Sequence, residues 1–501
     1  MMLRMVQWLV IAALLGSSVH ARPAVTIGSK AFAESWVLGD ALAALVRQTG
    51  RADVEHRKNL GGTEIVYQAL QSGGIDVYPE YTGTIAEVLM KSSGRPSLAE
   101  MRAFLKPRGI GISDPLGFND GYALAVMPAT QKRYGLTKLS DLARHPDLRL
   151  ALSHEFIGRK DGYPGLARAY GLRMTDVRGI QHDLAYGALA SGQADVMDVY
   201  TTDAQIAKLG LKVLEDDRGF FPRYDAVLLY RLDLPRRAPE AFAAMQRLSG
   251  RVNEAAMIRA NAMVVLQKKP SEQAAAALLR DALGAGQDAG SAQAPSALQV
   301  IPWNVLTHME LVVVSLLAAI VVGVPLGILA ASSRLMANLT LSVTGLLQTI
   351  PSLALLALLI AVFHRIGLVP SLVALFLYSL LPIVRNTYTG LANIPPTLSE
   401  AAEALGLPRM AQLLRVRLPM ASPSIAAGIK TSAVINVGTA TLAALIGAGG
   451  LGNPILQGIA LRDNALILQG AIPVAVLALL VQGGFDLLDR VWIPRGLRLR
   501  G

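Results

Sequence analysis

The residue types that carry covalent or metal chemistry are sparse in this sequence and lack the spacing that such chemistry needs. The chain has no cysteine, which excludes thiolate catalysis, disulfides and cysteine-ligated metals. Its seven histidines are scattered, and His56, His182 and His364 are interpreted as solvated or packed side chains. No G-x-S-x-G turn is present to expose a nucleophilic serine. The sequence therefore predicts neither a catalytic centre nor a metal or cofactor site.

The run Gly28-Ser29-Lys30 contains residue types found in phosphate-binding loops, whose full pattern is G-x-x-x-x-G-K-[ST]. Here the upstream glycine and the register of a following helix are missing. The chain is therefore not expected to hydrolyse ATP, and any ATP-driven step requires a separate partner chain.

A second group of residues predicts a rigid structural feature rather than a chemical site. The segment EAAEALG at 400–406 is followed, nine residues later, by VRLP at 416–419. Alanines allow close approach of a short helix, glycine permits a sharp turn, and proline fixes the direction of the next helix. The residues that define the pattern are Glu400, Ala401, Ala402, Gly406, Leu418 and Pro419. The spacing predicts a rigid peg, and a solvated amphipathic loop is the alternative for the first three residues alone.

Long uncharged segments on both sides of this peg predict a membrane domain. Each is long enough for the roughly 20 residues of a spanning helix. The five segments are 311–333, 335–363, 366–384, 431–461 and 464–485. If the preceding part of the chain is outside, the positive-inside rule places the peg and the basic clusters in the cytoplasm. The arginines concerned are Arg334, Arg385, Arg409, Arg415, Arg417, Arg490, Arg495, Arg498 and Arg500.

The overall composition agrees with a chain that lies partly in lipid. Hydrophobic residues make up 52% of the 501 residues, which exceeds the usual share in soluble proteins. The net charge is +11, but the basic residues are scattered and are not interleaved with aromatic ones. The excess of positive charge is therefore attributed to membrane topology, and no nucleic-acid partner is predicted.

The N-terminus predicts export. Arg4 precedes the apolar run 8–15, and small residues at 17–21 would allow cleavage after Ala21. An uncleaved anchor helix is the alternative. The predicted organisation is a signal peptide or anchor at 1–21, a substrate-binding domain at 22–284, a flexible linker at 285–297, a membrane domain at 298–490 and a cytoplasmic basic tail at 491–501.

Between the leader and the linker, short β-rich runs alternate with helical stretches, which predicts an α/β domain with largely parallel sheets. Two segments have the same helix, glycine turn and strand pattern, ALQSGGIDV at 69–77 and ALASGQADV at 188–196. This near-repetition predicts two similar lobes with a ligand cleft between them. The alternative is that such junctions are simply common in α/β proteins.

The membrane domain resembles the permeases of ABC-type osmoprotectant importers. The resemblance covers nearly all of 298–490 and is most specific in the peg, which matches the coupling loop of such permeases. It also includes QTIPSLAL at 348–355, LPIVRNTYTGL at 381–391 and AALIGAGGLG at 443–452. The resemblance implies a separate ATPase that receives the peg, and self-association of two permease domains around one pathway.

The preceding domain resembles the matching bilobed binding proteins, with a cleft of the type II periplasmic class. The motifs that carry the resemblance include YPEYTGT at 78–84, GFNDGYALA at 117–125, RKDGYPGL at 159–166 and DVYTTD at 198–203. In that family tyrosines surround a cationic headgroup, which aromatic faces attract through cation–π interactions. The resemblance implies a box of Tyr81, Tyr122, Tyr200 and Tyr224, and a ligand carboxylate held by Lys30, Arg159 and Thr84.

One position departs from the family. The sequence has Asp120 within Asn-Asp-Gly-Tyr, where relatives commonly carry Asn-Asn-Thr-Tyr. The additional carboxylate either favours a ligand without a carboxylate, such as choline, or faces solvent, and the sequence leaves both interpretations open.

Taken together, these features predict a non-enzymatic importer subunit in the bacterial inner membrane, with its binding domain on the periplasmic side. The expected cargo is glycine betaine, choline, carnitine or a related quaternary-ammonium compound. The alternatives are a ligand-gated channel or sensor, or the same importer with another small cationic or amino-acid-like cargo. An ATPase docking peg has no use in a channel, and five spans exceed what an anchored enzyme needs.

Overall fold

The structure is a computed structural model that describes residues 22–92, 94–284, 297–363, 365–461 and 463–492. The predicted leader at 1–21, nearly all of the predicted linker and most of the predicted basic tail lie outside the described residues, as does His364.

The first lobe is built on a five-stranded sheet with the order β2-β1-β3-β10-β4. Strands β1 and β3 run parallel, and β10 runs antiparallel to both β3 and β4. The strands are β1 (Ala24–Gly28), β2 (Asp53–Arg57), β3 (Val77–Tyr81), β4 (Ile110–Ile112) and β10 (Ala226–Arg231). Strand β3 is buried along its whole length, as expected for a central strand covered by helices on both faces.

The second lobe repeats this plan with the order β7-β6-β8-β5-β9. Strand β6 runs parallel to β7 and β8, and β5 runs antiparallel to β8. The strands are β5 (Tyr122–Val126), β6 (Arg149–Ser153), β7 (Asp176–Ile180), β8 (Val196–Tyr200) and β9 (Lys212–Val213). The chain crosses between the lobes twice, through 113–121 and 214–225, so both crossings border the cleft.

Helices cover the sheets of both lobes. Those of six residues or more are α1 (Ala33–Thr49), α2 (Thr63–Gln71), α3 (Leu98–Leu105), α4 (Pro128–Tyr134), α5 (Tyr163–Tyr170), α6 (His182–Ala190), α7 (Ala204–Leu209), α8 (Pro239–Gln246), α9 (Glu254–Val265) and α10 (Ser271–Leu283). The predicted near-repetition is confirmed, because α2 and α6 each end in a glycine turn that leads into the central strand of its own sheet. Gly73 and Gly192 adopt positive φ angles of 76° and 70°, which glycine tolerates without a steric penalty.

The remainder of the described chain is helical. Its α-helices of six residues or more are α11 (Ala297–Ala330), α12 (Arg334–Thr349), α13 (Ser352–Phe363), α14 (Leu368–Ala392), α15 (Pro396–Ala404), α16 (Leu418–Thr439), α17 (Gly452–Leu461) and α18 (Asn464–Trp492). Four helical segments are long and apolar enough to cross a membrane, namely Ile301–Ala330, Leu368–Ala392, Arg409–Ile446 and Asn464–Leu488. The bent pair α12 and α13 makes a fifth if it counts as one span.

Two of the predicted spans are interrupted in the structure. The segment 335–363 is broken at Pro351, where α12 and α13 meet at an angle of 99°. Proline lacks the N–H that would continue the helix and forces the preceding residue out of the helical region, and Ile350 accordingly has a ψ angle of 124°. The segment 431–461 is not one span, because the apolar helical segment already begins at Arg409, within the predicted peg, and the chain turns after Ile446. There Gly447, Gly449 and Gly450 all adopt positive φ angles.

Lobe one lies directly against the helical domain. An added Cβ on Gly447 would be 2.4 Å from Leu60 Cδ2, and one on Gly61 would be 3.5 Å from the carbonyl oxygen of Leu445. Ile366, just before α14, also packs with the core of lobe one. The glycine turn after Ile446 therefore allows lobe one to approach the backbone of the helical domain closely.

Candidate functional site

All seven ligand-binding residues predicted from the sequence line one small cavity between the lobes. Its volume is about 30 Å³. Lobe one contributes Lys30, Tyr81 and Thr84, lobe two contributes Tyr122, Arg159 and Tyr200, and the second crossing contributes Tyr224. The sequence positions of these residues are far apart, so the two-lobed fold is what brings them together.

Strand pairing explains why the tyrosines meet. Tyr81 ends β3 and Tyr200 ends β8, and these are the central strands of the two sheets. Tyr122 begins β5, which runs antiparallel to β8, so Tyr122 pairs directly with Tyr200. Tyr224 comes two residues before Ala226, the partner of Tyr81 in the β3–β10 ladder. Each ring therefore lies at a strand end that faces the cleft.

The rings form a continuous aromatic box. The ring centroids of Tyr122 lie 5.1 Å from Tyr200 and 5.4 Å from Tyr224, the latter pair at 83°. Phe32 joins the two lobes, since its ring lies 6.4 Å from Tyr81 and 6.3 Å from Tyr200. Edge and tilted contacts of this kind are favourable arrangements for aromatic pairs.

The two cations of the cavity lie over these rings. The Arg159 guanidinium is 5.4 Å from the Tyr122 centroid and 5.9 Å from that of Tyr224, and the Lys30 ammonium is 5.4 Å from Tyr81. Each has an acidic partner: Arg159 donates to Asp161 at 2.8 Å. Lys30 donates to Glu80 at 2.5 Å. Each of these tyrosine rings therefore already borders a positively charged side chain of the protein.

A larger cleft adjoins the aromatic cavity. Its volume is about 260 Å³, against about 30 Å³ for the cavity. The residues that line both are Lys30, Phe32, Asp120, Glu155 and Tyr200.

A chain of buried polar groups underlies the box. Tyr81 donates its hydroxyl to Glu34 Oε1 at 2.6 Å. Asn261 donates its amide to Glu34 Oε2 at 2.8 Å. The Thr202 hydroxyl oxygen lies 2.6 Å from Glu34 Oε2 and 2.7 Å from Asp120 Oδ1. Burial raises the pKa of Glu34, and burial together with the nearby Glu34 raises the pKa of Asp120 well above its usual range. Asp120 is 6% exposed, so it does not face bulk solvent.

His182 also supports the box, a role that the sequence interpretation missed. Its Nε2 lies 2.9 Å from Asp203 Oδ2, and its ring is 4.4 Å from the Tyr200 ring. Asp203 in turn accepts the Tyr200 backbone N–H at 2.9 Å and the Tyr186 hydroxyl at 2.6 Å. The histidine is packed, as one of the two sequence interpretations had it, and it helps to fix the position of Tyr200.

The ion pair of His182 with Asp203 predicts that the free energy of unfolding depends on pH. Burial by itself lowers the pKa of His182, but the carboxylates of Asp203 and Asp198 raise it well above its usual value. A raised pKa means that the stabilisation is complete below the unfolded-state value of about 6.5 and is lost as pH rises through the folded-state value. Thermal unfolding of the full chain in detergent should show this loss, and His182→Gln should remove it. His145→Gln, in the same lobe, is the control, and an unchanged pH profile in His182→Gln would contradict the assignment.

A triad-like arrangement elsewhere in lobe one is structural. The Ser29 hydroxyl lies 2.6 Å from His56 Nε2, and His56 Nδ1 lies 2.7 Å from Asp40 Oδ1. Ser29 is completely buried, and its hydroxyl is also 2.7 Å from the carbonyl oxygen of Ser35. A nucleophile must reach its substrate, so this cluster joins β1, α1 and β2 rather than performing catalysis.

The predicted peg consists of exposed and half-buried residues, apart from Ala402. Glu400 and Ala401 lie on the exposed side of α15, whereas Ala402 is 4% exposed. Gly406 has a φ angle of 68°, which supplies the expected sharp turn, and Leu418 and Pro419 begin α16. Two large apolar side chains of the loop are exposed, Leu405 at 79% and Met410 at 65%.

Two family models match the chain. Residues 23–281 match the substrate-binding domain of the ABC-type glycine betaine transport system, and residues 323–493 match the inner membrane component of binding-protein-dependent transport systems. These two ranges account for most of the chain and correspond to its two folded parts.

Individual relatives agree with these families. The osmoprotectant import permease protein OsmW of Salmonella typhimurium is 43% identical over 195 residues, 38% of this chain and 91% of the relative. The ergothioneine transport permease/ergothioneine binding protein EgtU of Helicobacter pylori is 31% identical over 260 residues, 51% of this chain and 47% of the relative. A crystal structure of a glycine betaine/carnitine/choline ABC transporter covers 51% of this chain and 97% of its own at 31% identity, with a TM-score of 0.45.

Proposed function

The chain belongs to the family of substrate-binding domains of the ABC-type glycine betaine transport system, here fused to an inner membrane permease component, and on that premise we propose that its cargo is a quaternary-ammonium compound. The observation that carries the proposal is the single cavity lined by all four tyrosines and both cations. A quaternary ammonium cannot donate hydrogen bonds, so aromatic faces are its best partners. Thr84, Lys30 and Arg159 are placed to hold a carboxylate on the same ligand, because all three line that cavity.

Titration of the full chain in detergent tests the cargo. The ligands are glycine betaine, choline, carnitine, proline betaine and ergothioneine, the last because of the relative named for it. Each lost tyrosine face removes about 0.5–2 kcal/mol of cation–π attraction. The double variant Tyr81→Ala, Tyr200→Ala should therefore bind at least about fivefold more weakly, whereas Tyr134→Ala, outside the cavity, should not. Folded wild-type protein that binds none of the five ligands would refute this cargo and leave an importer of unknown substrate.

We further propose that the peg couples the permease to a separate ATPase. The chain lacks a phosphate-binding loop, and the permease family implies an ATPase partner. The exposed side chains of Leu405 and Met410 next to the Gly406 turn supply an apolar surface that such a partner would cover. Two copies of this chain would form one pathway, since five spans make half of a transporter in this class of permease.

The binding domain and the peg belong on opposite sides of the membrane. Helix α14 has 25 residues and at about 1.5 Å per residue is roughly 37 Å long, enough to cross a bilayer. Its first residue, Leu368, follows the Ile366 contact with lobe one, and its last residue, Ala392, precedes the peg. With the peg in the cytoplasm, the binding domain is periplasmic and the protein lies in the inner membrane.

Cysteine labelling tests this topology, because the natural chain has no cysteine. Asp147→Cys introduces a thiol on the exposed surface of lobe two, and Arg409→Cys introduces one in the peg. In intact spheroplasts an impermeant maleimide should label the first variant and not the second, and detergent should expose both. Labelling of Arg409→Cys in intact spheroplasts would contradict the orientation.

A further inference from the structure

The hydrogen bonds that join the buried residues Glu34, Thr202 and Asp120 need one more proton than is present when both carboxyl groups are ionised. A threonine hydroxyl has a single hydrogen, and an ionised carboxylate can only accept. The Thr202 oxygen nevertheless lies within hydrogen-bond distance of both carboxyl groups, at 2.6 Å from Glu34 and 2.7 Å from Asp120. One of the two contacts therefore requires a carboxyl O–H that donates to Thr202.

The other partners of Glu34 identify which carboxyl holds the proton. Glu34 accepts from the Tyr81 hydroxyl and from the Asn261 amide, so with Thr202 it has three donors. That set suits an ionised carboxylate. Apart from the Thr202 hydroxyl, Asp120 Oδ1 meets the Thr202 backbone N–H at 3.4 Å, which is a long and weak contact. Asp120 is therefore the group that is neutral, and its O–H donates to Thr202 Oγ1.

Asp120 lies where it would meet the ligand. It lines both the aromatic cavity and the larger cleft beside it. The charged and titratable groups that face it from the surrounding elements are Lys30, Glu34, Tyr81, Tyr122, Glu155, Arg159, Tyr200, Asp203 and Tyr224. The two cations among them are paired with Glu80 and Asp161, so they do not neutralise an ionised Asp120 directly.

Zwitterionic betaines and cations without a carboxylate favour opposite charge states of the Asp120 carboxyl group. A zwitterionic betaine brings its own carboxylate, which a second negative charge at Asp120 would repel. A carboxylate-free cation such as choline brings no counter-charge, and an ionised Asp120 next to the box would attract it through a poorly screened interaction.

We propose that Asp120 selects between these classes by its proton: the neutral form accepts betaines, and binding of a choline-type cation releases the proton to solvent. This inference rests on the proposed function, because it assumes that the aromatic box binds quaternary ammonium compounds. It makes Asp120 a specificity-determining residue of the importer, and it makes the selectivity for choline over betaine increase with pH.

Calorimetric titration of the full chain in buffers of different ionisation enthalpy measures the released protons directly. Choline binding should release close to one proton per site, and its affinity should rise by about tenfold per pH unit while Asp120 is neutral. Glycine betaine should bind without proton release. In Asp120→Asn the proton release and the pH dependence of choline binding should both disappear, while Asp147→Asn, an exposed aspartate of lobe two, should behave as wild type.

The outcomes separate the two proposals. Choline binding without proton release in the wild type overturns the selection by Asp120 and leaves the cargo proposal intact, and this arm needs no variant to fold. Proton release that persists in folded Asp120→Asn overturns it as well. Betaine binding without choline binding also overturns the selection by Asp120. Failure of every quaternary ammonium to bind overturns the proposed cargo itself.

Discussion

Tyr122→Ala is expected to weaken ligand binding by about 30- to 100-fold, more than truncation of any other tyrosine of the box. The Tyr122 ring contacts both Tyr200 and Tyr224 and lies beneath Arg159. Its removal eliminates a desolvated cation–π face of about 2 kcal/mol. It also removes an aromatic neighbour from Tyr200 and from Tyr224, but these ring contacts are present in the ligand-free protein. The expected loss in binding is therefore about 2 to 2.7 kcal/mol, which corresponds to the stated range.

Titration of the full chain with choline and glycine betaine gives the measurement, and Tyr122→Phe is the matched control. The phenylalanine keeps the aromatic face and loses the hydroxyl, so we expect it to bind within about threefold of wild type. Because Tyr122 is 6% exposed, its truncation also destabilises the lobe, by about 3 kcal/mol. Thermal unfolding identifies the temperature at which the variant is folded. A folded Tyr122→Ala protein with wild-type affinity would show that the ligand binds elsewhere.

The sequence predicted the two-lobed architecture from a local pattern. The segments 69–77 and 188–196 have the same small and apolar residues around a glycine turn, and both turns lead into a central strand. A pattern of this kind is set by backbone conformation within ten residues, so it can be read without knowledge of the tertiary fold. The resemblance then predicted seven ligand-binding residues, and the structure brings all of them to one cavity.

The network beneath the box could not be predicted in the same way. Thr202 meets Glu34 across 168 residues and Asp120 across 82, and Asn261 reaches Glu34 from α9. Neither spacing nor periodicity encodes contacts that depend on how two lobes close. The sequence showed only that Asp120 departs from its relatives. The burial of Asp120, on which its proposed role in selectivity depends, could be seen only in the folded structure.

In the membrane domain, too, some features could be predicted from the sequence and others could not. Uncharged length correctly indicated about five segments, because the hydrophobic requirement of a bilayer is a property of composition. Length did not reveal the 99° bend at Pro351 or the end of the helix at Gly447, since both depend on backbone angles at single residues. The second of these features determines where lobe one contacts the permease, through Leu60.

The peg provides the other large expected effect: Leu405→Asp should reduce ligand-stimulated ATP hydrolysis and transport at least tenfold while ligand binding stays unchanged. Leu405 is 79% exposed, so the substitution costs the fold little, within about 0.5 kcal/mol for a surface site. In a docked complex the same side chain would be covered, and burying an unpaired carboxylate there costs at least about 2 kcal/mol, the scale of an interface hot spot. Transport should then fall at least tenfold.

The test is uptake and ATPase activity in proteoliposomes that contain the full chain and its ATPase, with Leu232→Asp as the matched control. Leu232 is an exposed leucine of the binding domain, at 37%, so it receives the same charge far from the peg. If Leu405→Asp transports at the wild-type rate, the peg does not contact the ATPase. If it binds ligand normally, retains its thermal stability and fails to transport, the defect lies in coupling. Ligand binding at the aromatic box and coupling to the ATPase through the peg would then be separable steps, and α14 would connect the two sites.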